Sequence, residues 1–322
     1  MKGYLLKRLV IMSLVLLGAT VLVFFLARVI PGDPISTMLG SAQVANPEVV
    51  AEYRQRYGLD QPIYIQYFRW LLRLIQGDMG QSILDGRPVL SILISRFKAT
   101  LILAFSAMLV AVVSGAIVGT LSAFVTTKRG NVFLDRFLGL GPLFFLTVPP
   151  FSLGLFLMIL FAVKIPIFPP VGMVSITGGG IWDLLRHLVL PAVTMGAASA
   201  GATATIVRTS VLEVIREDYI RTAYAKGLSD AAVMFRHAFR NALIPLVTNT
   251  GIMFGSLLSN GVLVEAVFAW PGLGSMMVGA VLKRDYPLIE GGTIIIAATY
   301  VFVNLLVDIS YSVINPKITY ER

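Results

Sequence analysis

The chain has 322 residues, of which 57% are hydrophobic and 13% charged, and its mean hydropathy is +0.83. Soluble domains carry about 25% charged residues, so the composition excludes an ordinary soluble domain and points to lipid as the solvent. A net charge of +9 confined to segments between apolar runs argues against a nucleic-acid face, and the absence of cysteine excludes disulfides, zinc–thiolate sites and cysteine nucleophiles.

Lys2, Lys7 and Arg8 precede an apolar run at 9–27. At 1.5 Å per residue such a run spans the roughly 30 Å hydrocarbon core. No small-residue cleavage site follows, so the run is expected to stay as a first transmembrane helix rather than leave as a signal peptide. Residues 31–97 form a polar excursion with helical pieces. In it, Asp60 is expected to cap a helix that has Pro62 in its first turn and is closed by Gly77. Gln66, Arg69, Arg73 and Gln76 mark its polar face, and Tyr64, Tyr67, Phe68, Leu71 and Ile75 its apolar one. Two readings stay open: a helix lying in the membrane interface or over the outer mouth, and an ordinary packing helix.

Further spans are predicted at 101–125, 137–163, 188–211, 246–268 and 288–314. Pro142 and Pro149-Pro150 interrupt the third, where prolines kink a helix. The fourth is rich in Gly, Ala and Ser, which let backbones approach closely in lipid. Asp308 in the last span lies near enough to its end to reach the interface. Six spans with the N-terminus inside put Lys2, Lys7, Arg8, Lys128, Arg129 and Arg136 in short inner segments. The short outer loops hold only Lys164, Arg186, Lys283 and Arg284. Both termini are therefore expected in the cytoplasm. The two histidines, His187 and His237, fall on opposite sides, which argues against a shared metal site.

Between the fourth and fifth spans, 212–245 interrupts the apolar half with a long polar stretch. Helical periodicity from 211 to 226 places Val211, Val214, Ile215, Tyr219 and Ala223 on one stripe. Gly227 is placed as a left-handed stop, and Ser229 or Asp230 can cap a second helix ending near Ala242, before Pro245 begins the next span. Helix connections normally run two to eight residues. This one has the length and local order of a docking hairpin, tied at both ends to membrane spans.

The hairpin resembles the EAA loop of the membrane subunits of ATP-binding-cassette importers, with Arg221, Thr222, Ala223 and Gly227 at the E-A-A and G positions. The first two depart from the general pattern. R-T-A-x-A-K-G-L followed by R-H-A-x-R-N-A-L-I-P is similar to the variant of the peptide/nickel branch, the dipeptide and oligopeptide B-type permeases. Tyr224 stands where that branch often has arginine. RVIPGDP from Arg28, GLDQP from Gly58, GDMGQS from Gly77, RHLVLP from Arg186, VFAWPGLG from Val267 and RDYP from Arg284 extend the likeness over the whole chain.

The resemblance implies an all-α integral membrane protein of six transmembrane helices with the type I importer permease fold. It would comprise a cytoplasmic N-terminus and first helix (1–30), an external helical segment (31–97), a core (98–314) and a cytoplasmic tail (315–322). It implies a second, C-type permease subunit, two cytoplasmic ATP-binding subunits and an external substrate-binding protein as partners, besides membrane lipid and with no nucleic acid. The ATPases would dock on Arg221, Thr222, Ala223, Tyr224, Ala225, Lys226 and Gly227. Short peptides are the implied cargo; nickel, glutathione, opines and oligosaccharides are the alternatives within the branch. The chain contains no Gly-Lys dipeptide and hence no P-loop, so no ATPase site or cofactor is expected of it. An intramembrane enzyme would need a nucleophile facing a base at matching depth, and neither histidine offers one.

Overall fold

The computed structural model describes residues 2–29, 32–35, 38–39, 46–128, 131–176 and 178–314, without the side chains of 2–7, 237, 241, 243, 244, 248 and 307–314. The expectations for Arg129, the Asp308 side chain and the 315–322 tail lie outside the described residues. Secondary structure among the described residues is helical apart from one isolated bridge between Gln81 and Pro88. In chain order the helices are α1 (Lys2–Val29), α2 (Pro47–Arg56), α3 (Ile63–Ile75), α4 (Val89–Lys128), α5 (Val132–Thr147) and α6 (Pro150–Met158). A π-helical turn, Ile159–Lys164, extends α6. Then come α7 (Gly180–Val214), α8 (Asp218–Ala225), a helical turn at Asp230–Ala232 running into π-helical Val233–Ala238, α9 (Phe239–Val267), α10 (Leu273–Lys283) and α11 (Tyr286–Ile314).

Five segments are long and apolar enough to cross a membrane: Arg8–Val29, Val89–Lys128, Gly180–Val214, Pro245–Val267 and Tyr286–Leu306. The sixth membrane element is not one straight span. α5 and the α6 segment meet at a bend of 102°. Pro142, buried within α5, does not break the helix. The corner falls at Val148–Pro149, where Val148 turns extended and Pro150 opens the next helix, the position at which a missing N–H costs nothing.

The described residues divide into two compact units, those of 1–100 with 271–305, and those of 101–270 with 306–314. In the first, Phe24 of α1 meets Tyr67 and Trp70 of α3 with ring centroids 5.2 and 5.5 Å apart. The Thr20 and Tyr67 hydroxyls are 3.0 Å apart. Arg28 lies 3.3 Å over the Phe24 ring and pairs with the buried Glu290 of α11 at 2.6 Å. Burial of a charge is tolerated when it is paired, and the aromatic face gives the guanidinium a second partner. Asp285, fully buried, accepts from the Ser82 hydroxyl at 2.5 Å and from the Ile83 N–H at 3.3 Å. It thereby ties the GDMGQS turn to the RDYP turn.

Two expectations for α3 need correcting. Asp60 does not cap it; Pro62 occupies the N-cap position, with no side-chain bond to the first turn. Tyr67 does not share a face with Tyr64 and Phe68, since it is buried against α1 while they are exposed. Gly77 does follow the helix in the left-handed region, at φ +82°.

In the second unit the small residues of α7 let it lie directly on α4. A Cβ on Gly196 would stand 2.6 Å from the Ala107 carbonyl oxygen, and one on Gly119 2.5 Å from that of Ala204. Real Cβ atoms do not approach so closely, so glycine at these positions sets the distance between the two helices.

Candidate coupling site

The polar stretch after α7 folds as a helical hairpin, with one departure from the expected phase. The helix does not run unbroken from 211 to 226. It stops at Ile215, Glu217 turns extended at φ −71° and ψ 147°, and α8 starts afresh at Asp218. The restart shifts the buried face by one residue. Ile220 and Ala223 of α8 pack on Val233, with Val214 alongside, whereas Tyr219, expected on the inner stripe, is 44% exposed.

α8 closes through Lys226 into Gly227, whose φ of +79° is the left-handed region that glycine enters without steric cost. The Gly227 N–H donates to the Tyr224 carbonyl at 2.9 Å, and the Leu228 N–H to that of Ala223 at 3.4 Å. Ser229 caps the next turn, its hydroxyl accepting from the Ala232 N–H at 3.4 Å. The chain then passes through the π-helical turn into α9. Contrary to expectation the second helix does not end near Ala242, for α9 continues through Pro245 to Val267. Proline removes one backbone donor there without ending the helix.

A buried aliphatic cluster fixes the hairpin to the long helices. Val207, Val211, Met234, Ala238, Ala242 and Leu246 pack with Ala123 of α4. Beside this cluster Arg208 of α7 reaches Asp135 of α5 at 3.2 Å and the Thr126 hydroxyl of α4, also at 3.2 Å. Thr126 in turn donates to Asp135 at 2.6 Å. A Cβ on Gly139 would run into the Arg208 guanidinium, so the glycine leaves room for the bridge.

Of the seven residues predicted to dock a partner, Arg221, Thr222, Tyr224, Ala225, Lys226 and Gly227 are exposed and adjacent, and Ala223 is buried. Ala223 therefore positions the turn from within. Arg221 pairs with Asp218 at 3.2 Å along the helix. Burial, assisted by the charge of Asp230, raises the Tyr224 phenol above its ordinary range, so it stays a neutral hydrogen-bonding group. Leu228 and Phe235 were missed by the sequence reading; with Tyr219 and Tyr224 they are the large apolar side chains exposed in an otherwise polar loop, Phe235 being 51% exposed. The ring of Phe235 faces Phe124 at 6.4 Å, and Lys128 sits 4.7 Å over Phe124 while pairing with Asp230 at 3.6 Å. Large apolar side chains left in water beside basic ones mark interaction surfaces. The phase break at Glu217 accounts for Tyr219, expected on the inner stripe and found outward; Leu228 and Phe235 lie beyond α8, where no periodic pattern marked them.

His187 is buried at the start of α7, its Nδ1 2.9 Å from the Asp183 carbonyl, and Asp183 accepts from the Ser175 hydroxyl at 2.6 Å. The carboxylate, not the imidazole, holds the hydroxyl, which is the wrong order for activating a nucleophile. The His237 side chain lies outside the described residues. Among the described residues no three His, Cys, Asp or Glu side chains gather as a metal site.

Comparison with known proteins agrees with this architecture. The model of the family described as binding-protein-dependent transport system inner membrane component matches residues 115–320, and that of the N-terminal part of such membrane components matches residues 1–104. The di/tripeptide transport system permease protein DppB of Pseudomonas aeruginosa is 38% identical over 341 residues, covering all of both chains. The glutathione transport system permease protein GsiC of Salmonella typhimurium is 40% identical, and that of Escherichia coli O6:H1 38%, each over 321 residues and the whole of both chains. The chain belongs to the family of binding-protein-dependent transport system inner membrane components. It is a multi-pass inner-membrane permease subunit of an ATP-binding-cassette importer, with the type I permease fold, and works with other transporter subunits.

Proposed function

We propose that this permease imports short peptides, in a complex of one copy of this chain, a different C-type permease subunit, two cytoplasmic ATP-binding subunits and an external binding protein. The relatives' names support that cargo class: one handles di- and tripeptides, and others glutathione, itself a small γ-linked tripeptide. Glutathione is thus the second reading, since its permeases are as similar as the di/tripeptide one. Both termini face the cytoplasm, the segment 31–97 faces outward, and the core occupies 98–314 with 212–245 as its coupling hairpin. The chain carries no ATPase site of its own, and the phosphate chemistry belongs to the partner.

One observation carries the coupling role. The exposed ridge of Arg221, Thr222, Tyr224, Ala225, Lys226 and Gly227 stands on a buried cluster continuous with α7 and α9. An ATP-driven movement of whatever grips the ridge is passed to both helices, because a close-packed core shifts as a body rather than yielding. The natural absence of cysteine allows a single Ala225→Cys to report the contact. In membranes holding the whole complex, a short bifunctional reagent at position 225 is expected to capture an ATP-binding subunit, with a yield that changes when ATP is added. Capture of an external protein, or of none with the complex intact, overturns the assignment. Uptake of labelled dipeptide and of labelled glutathione, in competition through the same complex, decides the cargo.

A further inference from the structure

α3 has three sides, which its sequence alone left as two. Tyr67, Trp70 and Leu74 point into the core of the first unit. Gln66, Arg69 and Arg73 form a polar side and line a cavity of about 710 Å³ shared with Arg28 and Glu290. On the remaining side Tyr64, Phe68 and Ile75 are exposed, by 60, 60 and 75%, while Leu72, 61% exposed, stands at the border and also lines the cavity. An apolar stripe so long does not persist in water without a reason.

We infer that this stripe is immersed in the outer edge of the lipid bilayer, so that α3 is a membrane-interface helix rather than part of a water-borne external domain. The place where α3 meets α1 supports this. The candidate span of α1 is Arg8–Val29. Phe24, which contacts both Tyr67 and Trp70, lies five residues inside its end, about 7 Å at the helical rise. Thr20, at hydrogen-bonding distance from Tyr67, lies deeper still. Both contacts fall inside the apolar run of α1 rather than beyond it, which is where an amphipathic helix sunk into the edge of a bilayer would meet a span. Next to the crossing, Leu22, Phe25, Leu26 and Val29 of α1 are exposed apolar residues of a membrane span, the surface that lipid covers. The Phe25 ring stacks on Tyr67 at 6.1 Å, and the Tyr67 ring meets that of the exposed Phe68 at 5.5 Å. The lipid-facing surface of α1 thus continues onto the exposed stripe of α3. Arg28, whose Nε donates to Gln66 at 3.3 Å, marks the polar end of the same crossing. The arginine side then opens to water while the stripe takes acyl chains, an arrangement independent of the cargo.

Spin labels test the sides against each other. Phe68→Cys and Ile75→Cys, with Arg69→Cys and Arg73→Cys as internal controls, are placed one at a time in the whole complex in lipid nanodiscs, with partner cysteines removed. Labels at 68 and 75 are expected to relax more strongly with oxygen, which concentrates in lipid, than with a water-soluble nickel chelate. Labels at 69 and 73 are expected to do the opposite. Nickel accessibility at 68 and 75 equal to that of the controls overturns the inference in favour of a watery face. Protection from both reagents there overturns it in favour of a second protein chain covering the stripe. Two stripe positions are used so that a defect in one variant does not decide the result.

Discussion

Two amphipathic regions of this permease, the proposed coupling hairpin and the α3 region, solve the same problem by different means. Each must hold an exposed apolar patch steady while its other side is anchored. The hairpin is anchored mainly by aliphatic side chains, Val207, Val211, Met234 and Ala238, with Phe235 facing Phe124 and Asp230 pairing with Lys128, and it exposes tyrosine, phenylalanine and basic residues together. The α3 region is anchored by edge-on and tilted aromatic contacts and by the Arg28–Glu290 pair, and exposes an apolar stripe at Tyr64, Phe68 and Ile75 with its arginines on another side. Mixed chemistry suits a protein partner, which can match each group; segregated chemistry suits a bilayer, which offers only one apolar zone and one polar zone.

The comparison breaks most readily at the buried ion pair. Arg28→Ala leaves Glu290 buried without its partner, and removing one member of a buried pair costs about 3–5 kcal/mol. The variant is expected to unfold at markedly lower temperature in a thermal melt, with partial recovery in the Arg28→Met, Glu290→Leu double variant. Equal melting of Arg28→Ala and the parent would show that the pair anchors nothing. The hairpin has no comparable charge to orphan, so its tests are smaller and sharper. A Cβ at Gly227 meets no neighbouring atom within 4 Å, so the cost of Gly227→Val is chiefly that of a left-handed backbone, about 1–2 kcal/mol. It is expected to lower transport and ATPase stimulation in the reconstituted complex far more than it lowers the melting temperature. Ser229→Ala removes one cap and is expected to cost at most about 1 kcal/mol, read as faster amide exchange at Ala232 with transport nearly intact.

How much of this was legible beforehand depended on the distance over which each feature is decided. Gly227 was legible because a left-handed stop is a local event, coded by one residue and its neighbours. The membrane segments were legible because apolar length alone defines them. The prolines marked the third element as interrupted, but the 102° between its arms depends on packing that no local pattern encodes. The cap at Asp60 failed because Pro62 itself took the boundary position. Ala223 was placed on the right side of the hairpin for a wrong reason: the helix was read as continuous, and the break at Glu217 that resets its phase is a backbone choice between competing turns. The roles of Asp285 with Ser82 and of Arg28 with Glu290 join residues some two hundred or more positions apart. A single sequence names such residues without pairing them.

The uninterrupted run of α9 through Pro245 carries a geometric consequence. Its membrane-spanning part begins at Pro245, yet the helix itself begins at Phe239. Those six extra residues add about 9 Å of helix, and Ala242 among them belongs to the buried cluster that holds Ala123 of α4 and Val207 of α7. The proposed docking turn thus leads into the fifth span through one continuous helix, so a push on it would reach the membrane part with no joint to absorb it.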